Sequence, residues 1–295
     1  MSKPIFTGAG VALVTPFTEE RKVNYPKLKE LIEYQIANKT DAIIIAGTTG
    51  EAPTLSDEEH KEIIRFTVQT VAKRIPVIAG AGSNNTIYGT QNAVFAEQAG
   101  ADALLLVTPY YNKTTQAGLI KHFYYYADHV NIPIIVYSVP SRTGVNITAD
   151  TCIELAKHKN IIGIKEATGN ISQVAEIAAK CPDFHIYSGN DDMIVPIMSL
   201  GGKGVISVFS NIAPRQAHDI CDAYAKGDVQ KARDMQLEYL PLINALFSEV
   251  NPIPVKNAMN YLGFDVGKTR MPLFEMDVAK ADMLHKIIDH YNLRG

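Results

Sequence analysis

The sequence has few of the features that mark exported, membrane-spanning or metal-dependent proteins. Residues 1–6 lack the apolar core of a signal peptide, and no apolar run is long enough to span a bilayer. Cysteine is scarce: Cys152, Cys181 and Cys221 are widely spaced and form no Cys-x-x-Cys pair, which predicts reduced, buried thiols in a cytoplasmic protein. The eight histidines form no His-Glu-x-x-His spacing, so we expect no metal site.

An excess of one charge is also lacking, since the formal net charge of the 295-residue chain is -3. A charge this small gives no electrostatic reason to expect nucleic acid or an anionic membrane as a partner. The remaining composition, 46% hydrophobic and 20% charged, is that of an ordinary globular protein. The length suits one large α/β domain with an appendage.

The main pattern of the chain is an alternation of short apolar runs with amphipathic, helical segments. Eight such runs occur, at 10–14, 42–46, 76–80, 103–107, 133–137, 161–165, 184–188 and 204–208. Strands that are apolar on both faces are typical of a parallel sheet covered by helices. Helix starts are marked by the capping box of Ser56 and Glu59 and by Thr148.

Eight strand–helix units predict a (β/α)₈ TIM barrel, an α/β fold that takes about 250 residues. The alternative is an open, doubly wound sheet, which uses a Gly-x-Gly-x-x-Gly turn. The nearest approach to that turn, Gly-Ala-Gly-Ser-Asn-Asn at 80–85, lacks the third glycine. We therefore favour the barrel.

The alternation stops near residue 225. Helical segments follow at 229–250, 255–262 and 277–291, and Pro241 is expected to kink or interrupt the first of them. We predict a catalytic barrel over 1–224 and a C-terminal helical segment over 225–295.

Lys165 stands where the sixth apolar run ends and a loop begins. A strand-end lysine that reaches solvent is the simpler interpretation of this position alone. A lysine at the mouth of a buried strand loses its proton more easily, however, and an unprotonated amine is a nucleophile toward ketones. The chemistry of such barrels lies at the carboxyl ends of the strands. The residues at the other strand ends therefore decide whether Lys165 is a solvated lysine or a nucleophile.

Those ends carry hydroxyls, phenols and an arginine. They include Thr48 and Thr49 after the second run, Tyr110 and Tyr111 after the fourth, Tyr137 and Arg142 around the fifth, Gly189 after the seventh and Ile206 in the eighth. Each has a plainer alternative as a tight turn, an interface contact or a solvated group. Together with a lysine nucleophile they suit carbonyl chemistry through a Schiff base.

Acidic side chains near these ends suggest a different chemistry. A glycosidase needs two opposed acids, for which Glu51 and Glu166 are candidates. Asp191 and Asp192 are adjacent, so their side chains diverge, and we expect them to be solvated or to cap a turn.

Four motifs resemble the dihydrodipicolinate synthase family of pyruvate-dependent aldolases. They are Gly-Thr-Thr-Gly-Glu at 47–51, Val-Thr-Pro-Tyr-Tyr-Asn at 107–112, Tyr-Ser-Val-Pro-Ser-Arg-Thr-Gly at 137–144 and Gly-Ile-Lys-Glu-Ala-Thr-Gly at 163–169. The wider family, which includes N-acetylneuraminate lyase, shares the threonine pair, the tyrosine and the lysine. The run Ser141-Arg142-Thr143 is what points to the synthase branch.

The resemblance implies a catalytic role for four residues. Lys165 forms a Schiff base with pyruvate, and Tyr137 transfers protons with the help of Thr48 and of Tyr111 from a neighbouring subunit. Such enzymes use no cofactor and are usually homotetramers built from two tight dimers. The reaction condenses pyruvate with L-aspartate 4-semialdehyde to give 4-hydroxy-tetrahydrodipicolinate, in lysine and diaminopimelate synthesis.

The resemblance also implies the carboxylate-binding groups. Thr49 and the backbone around Ile206, with Gly189, hold pyruvate, and Arg142 binds the carboxylate of the semialdehyde. Two alternatives stay open: an N-acetylneuraminate lyase or 2-keto-3-deoxy sugar acid aldolase, and a catalytically silent barrel that binds a keto acid.

One departure from the family bears on regulation. Members that are inhibited by lysine carry histidine in place of Asp57 and glutamate in place of Tyr88 at the lysine-binding interface. The ammonium of lysine therefore lacks an anionic partner at Tyr88, and we expect lysine inhibition to be weak or absent.

Overall fold

Eight parallel strands close into a barrel in the computed structural model, which describes residues 3–291 and 293. The strands are β1 (Gly8–Ala12), β2 (Ala42–Ile45), β3 (Val77–Gly80), β4 (Ala103–Val107), β5 (Ile134–Ser138), β6 (Ile161–Glu166), β7 (His185–Ser188) and β8 (Gly204–Ser207). Each strand pairs with the next along the chain, and β8 closes on β1 with Gly8 opposite Gly204. The predicted (β/α)₈ barrel is confirmed.

Helices connect the strands and extend beyond them. In the described part of the chain they are α1 (Tyr25–Ala37), α2 (Asp57–Val71), α3 (Thr86–Gln98), α4 (Gln116–Ala127), α5 (Pro140–Thr143), α6 (Ala149–Leu155), α7 (Ile171–Lys180), α8 (Ile194–Ser199), α9 (Pro214–Ala225), α10 (Val229–Ala245), α11 (Ile253–Tyr261) and α12 (Val278–His290). The predicted caps are present, because Ser56 and Glu59 form a capping box on α2 and Thr148 caps α6.

Side chains alternate between the two faces of each strand and so form two cores. On β2, Ile43 and Ile45 pack against the surrounding helices, whereas Ala42 and Ile44 belong to a separate cluster inside the barrel. Tyr137 belongs to this interior cluster. The same alternation that fills the barrel therefore turns the phenol of β5 into its interior.

Most predicted boundaries differ from the structure by one or two residues, and two of the differences have a physical reason. β1 begins and ends two residues earlier than expected, because the apolar run continues past the strand as a buried connection. Pro241 lies inside α10 and does not interrupt it, because the helix runs across this position from Val229 to Ala245. The helix instead ends at Ala245, short of the predicted residue 250.

The three helices after α9 pack together on the barrel. α10 contacts α9, and α12 contacts both α10 and α11. Whether the chain divides at 224 and 225, as predicted, stays a prediction. Within residues 3–291 and 293, no helix combines the length and apolarity that a membrane crossing requires.

Candidate active site

A cavity of about 560 Å³ opens at the carboxyl ends of the strands. Of the predicted site residues, six line it: Thr48, Thr49, Tyr137, Arg142, Lys165 and Gly189. Ile206 is buried beneath it in the barrel interior, in the same cluster as Tyr137. Tyr111 lies apart, because its side chain is 93% exposed and its backbone adopts a left-handed φ of 68°.

Lys165 is buried at the end of β6, directly opposite Tyr137 in the register of β5 and β6. Its Nζ lies 4.3 Å from the centre of the Tyr137 ring. The pKa of Lys165 is lowered to about 8, mainly by burial; the nearby charge of Asp191 opposes this shift and that of Arg142 adds to it. About a tenth of the amine is therefore unprotonated at pH 7, far more than in an ordinary lysine, and this is the form that a nucleophile requires.

Tyr137 keeps its proton at neutral pH. Burial raises the pKa of its phenol to about 12, although Arg142 and a hydrogen bond with Thr48 act in the opposite direction. A protonated phenol beside a reactive amine can donate a proton to an oxygen that leaves or becomes negative at this position.

Gly189 lets the end of β7 approach the lysine closely. A Cβ at this position would lie 2.6 Å from the Cβ of Ala167 and 3.2 Å from the Cε of Lys165. A larger residue would clash with Ala167 and crowd the end of the lysine side chain, so glycine here preserves the space around the nucleophile.

The two aspartates of the acidic pair take the two predicted roles, one solvated and one capping a turn. Asp192 is exposed, but Asp191 is 1% exposed and accepts hydrogen bonds from the backbone N–H groups of Val208 and Phe209, each at 3.0 Å. It caps the turn after β8, as one of the two expectations stated, and it is not solvated. Its charge also raises the pKa of Lys165.

The glycosidase alternative finds no support in this geometry. Glu51 is buried in an ion pair with Lys256 of α11, at 2.7 Å. Glu166 is buried behind the strand, where its Oε1 accepts from the N–H of Thr168 at 3.1 Å. Among the described residues that line the cavity there is no carboxylic acid, whereas this chemistry requires two.

Asn251 is a cavity residue that sequence reasoning missed. Its Nδ2 donates to the Oγ1 of Thr49 at 3.0 Å, and its carbonyl accepts from Arg142 at 3.0 Å. The Asn-Pro-Ile-Pro run that begins here, at 251–254, falls between the predicted helical segments 229–250 and 255–262. The sequence gives one signal for such a role: an asparagine begins a segment with two prolines, and because proline restricts the backbone, that segment can hold the amide in a fixed position.

Comparison with known proteins identifies the family. The model of the dihydrodipicolinate synthetase family matches residues 5–291. The 4-hydroxy-tetrahydrodipicolinate synthase of Thermoanaerobacter sp. is 58% identical over 292 residues, which cover 98% of each chain.

Solved structures agree with this match. The dihydrodipicolinate synthase of Aquifex aeolicus has a TM-score of 0.96 at 45% identity, over 98% of this chain and 99% of that one. The enzyme from Cyanidioschyzon merolae, solved with lysine bound, has a TM-score of 0.96 at 39% identity, over 99% of this chain and 100% of that one. The chain is therefore an enzyme of the dihydrodipicolinate synthetase family.

Proposed function

We propose that this enzyme condenses pyruvate with L-aspartate 4-semialdehyde to give 4-hydroxy-tetrahydrodipicolinate, a step of lysine and diaminopimelate biosynthesis. The observation that carries the proposal is the buried amine of Lys165, which faces the cavity beside the phenol of Tyr137 and has its pKa lowered to about 8. The names of the relatives point to the same reaction.

The first half of the reaction attaches pyruvate to the enzyme. The amine of Lys165 attacks the keto carbon, and the keto oxygen takes up two protons and leaves as water, so that an imine forms. Tyr137 supplies protons to that oxygen and is replenished through Thr48, its hydrogen-bonding partner. The imine nitrogen keeps its proton, and the Tyr137 phenolate that remains after this donation takes a proton from the methyl carbon, which gives the neutral enamine, the carbon nucleophile.

The second half joins the two substrates and releases the product. The enamine carbon attacks the aldehyde carbon, and the aldehyde oxygen takes a proton from Tyr137 and becomes the hydroxyl. The amino group of the semialdehyde then attacks the imine carbon, the bond from that carbon to Lys165 breaks, and the lysine leaves as a free amine. Ring closure therefore regenerates the enzyme without hydrolysis.

Two carboxylates must be held during these steps. The proposal assigns that of pyruvate to the hydroxyl of Thr49 and the backbone around Ile206, beside Gly189. It assigns that of the semialdehyde to Arg142, whose planar guanidinium can bind a carboxylate through two hydrogen bonds.

We further propose a cytoplasmic homotetramer, built from two dimers, in which Tyr111 completes the active site of a neighbouring subunit. The exposure of Tyr111 and its position outside the cavity of its own chain support this role. Free, buried Cys152, Cys181 and Cys221 support the reducing compartment.

Removal of the Arg142 guanidinium tests the identity of the second substrate. We expect Arg142→Ala to raise the KM for aspartate semialdehyde by roughly 10- to 100-fold, because a hydrogen-bonded charge pair is lost. Formation of the pyruvate adduct should persist, since Lys165 is intact. Steady-state kinetics with each substrate varied in turn measures both effects.

The matched control is Arg215→Ala, which removes an exposed arginine from α9 and should leave both KM values unchanged. An unchanged semialdehyde KM in Arg142→Ala contradicts the assignment. Cleavage of N-acetylneuraminate by the wild-type enzyme, with no turnover of the semialdehyde, would favour the sugar-acid aldolase instead.

Lysine should inhibit the enzyme weakly or not at all. The Tyr88 hydroxyl donates a hydrogen bond to the carboxylate of Asp57, and this contact raises the pKa of the phenol. Position 88 therefore offers no anion to a lysine ammonium, and the carboxylate of Asp57 already has a partner. Initial rates measured with increasing lysine check this, and half-inhibition at submillimolar lysine would contradict it.

A further inference from the structure

Asn251, which lies outside the barrel, contacts both Thr49 and Arg142, the residues proposed to bind the substrate carboxylates. It lies between α10 and α11, is 6% exposed and lines the cavity. Its side chain bonds to Thr49 and its backbone to Arg142. We propose that Asn251 is a positioning residue that orients Thr49 and Arg142 toward the two substrate carboxylates, an inference that rests on the proposed function.

The contact with Thr49 determines where the threonine proton points. A hydroxyl has one proton to donate and two lone pairs that accept. Because Asn251 donates its Nδ2–H to the Oγ1 of Thr49, that oxygen acts as an acceptor toward the chain. The hydroxyl proton then remains free for an anion in the cavity, which is what the carboxylate of pyruvate needs.

The contact with Arg142 determines the direction of the guanidinium. Arg142 lies on the short helix α5 and is exposed, so its long side chain has considerable freedom without a tether. The Asn251 carbonyl accepts one Nη2–H at 3.0 Å and leaves the other N–H groups available. A single residue therefore orders the groups that receive both substrates, which reduces the entropy lost on binding.

Asn251 is itself held in place relative to the loop after β2. Lys256, on the first turns of α11, forms the buried ion pair with Glu51, which is two residues beyond Thr49. Two contacts therefore connect the loop after β2 with the segment that begins at Asn251: the hydrogen bond from Asn251 to Thr49 and the ion pair between Lys256 and Glu51. These contacts hold the amide of Asn251 in place without any bound substrate.

Asn251→Asp tests the polarity of this contact with almost no change in shape. An ionised carboxylate can only accept, so it should take the Thr49 proton away from pyruvate and also repel the substrate anion. We expect the KM for pyruvate to rise roughly tenfold or more, with a smaller change in kcat. The defect relative to wild type should shrink as the pH falls and the introduced carboxylate takes up a proton that it can donate.

Two further measurements separate positioning from a general structural effect. Asn244→Asp places the same charge change on an exposed site of α10 and should leave the KM for pyruvate unchanged. In a double-mutant cycle, Asn251→Ala should raise that KM in the wild-type background but have little further effect on top of Thr49→Val, because the proposed action passes through the Thr49 hydroxyl.

The outcomes distinguish this inference from the function on which it rests. If the wild-type enzyme fails to condense pyruvate with the semialdehyde, the proposed function is wrong. If the wild type is active but Asn251→Asp binds pyruvate normally, if its defect is independent of pH, or if the effects of Asn251→Ala and Thr49→Val are additive, the positioning role is wrong. If the aspartate variant does not fold, the cycle with Asn251→Ala decides the positioning role by itself, and additive effects there contradict it.

Discussion

Lys165→Met abolishes condensation and the borohydride-trapped pyruvate adduct, with an expected loss in kcat of roughly 10³-fold or more, as when an enzyme loses its covalent nucleophile. Methionine matches the length of the lysine stem and keeps the barrel interior filled. Mass spectrometry of the intact chain after treatment with pyruvate and borohydride measures the adduct. Peptide mapping of the wild-type chain should place it on Lys165.

A second buried lysine makes this a sharp test. Burial also lowers the pKa of Lys256 to about 8, so a shifted pKa alone does not identify the nucleophile. Lys256 is paired with Glu51 at 2.7 Å and does not line the cavity, whereas Lys165 does. An adduct on Lys256 in the wild-type map, or one that persists in Lys165→Met, would contradict the Schiff-base assignment.

The pH dependence has a definite sign. The attacking form of Lys165 is the unprotonated amine, and its fraction grows as the pH rises toward and through the pKa of about 8. The rate of adduct formation at low pyruvate should therefore increase from pH 6 to 8 and level off above that. The phenol of Tyr137, with its pKa raised to about 12, stays protonated throughout this range.

The largest expected effect on stability is that of Lys256→Met. The side chains of Lys256 and Glu51 are 2% and 0% exposed, so removal of the lysine leaves a carboxylate that is buried and without its counter-charge. Loss of one member of a buried ion pair typically costs about 3–5 kcal/mol. Equilibrium unfolding in denaturant, at a fixed protein concentration because the enzyme is proposed to be an oligomer, measures the free energy of unfolding.

Lys268→Met provides the matched control. Lys268 forms an ion pair with Glu275 at the same 2.7 Å, but both side chains are more than half exposed, so we expect a change within about 1 kcal/mol. Adding Glu51→Gln to Lys256→Met should recover part of the lost stability, since the uncompensated charge disappears. Equal effects for the buried and the exposed lysine would overturn this account of Glu51 and Lys256.

The barrel and its principal site could be predicted because they depend on local patterns. Apolar runs such as 42–46 mark strands that are buried on both faces, and eight of them in succession leave room for few other folds. The carboxyl ends of parallel strands all lie at the same end of the barrel. Residues at the ends of neighbouring strands, such as Tyr137 and Lys165, can therefore be predicted to lie together from their local sequences alone.

The contacts that could not be predicted all join distant parts of the chain. The burial of Asp191 depends on the turn after β8, and the roles of Asn251 and Lys256 depend on how α11 docks near the loop after β2. Composition and periodicity give the polarity of a side chain but not its partner across the fold. The sequence therefore assigns no partner to Asn251 or Lys256, and both are buried in the structure.

The bond between Asn251 and Thr49 joins residues that are 202 positions apart, and this separation has a consequence for protein synthesis. Translation produces the strands of Tyr137 and Lys165 long before it produces the amide that orders Thr49. A nascent chain that extends only to β8 thus contains Lys165 but lacks the Asn251 amide that orders Thr49. The hydrogen bond that orders Thr49 can therefore form only after the chain has been synthesised as far as Asn251.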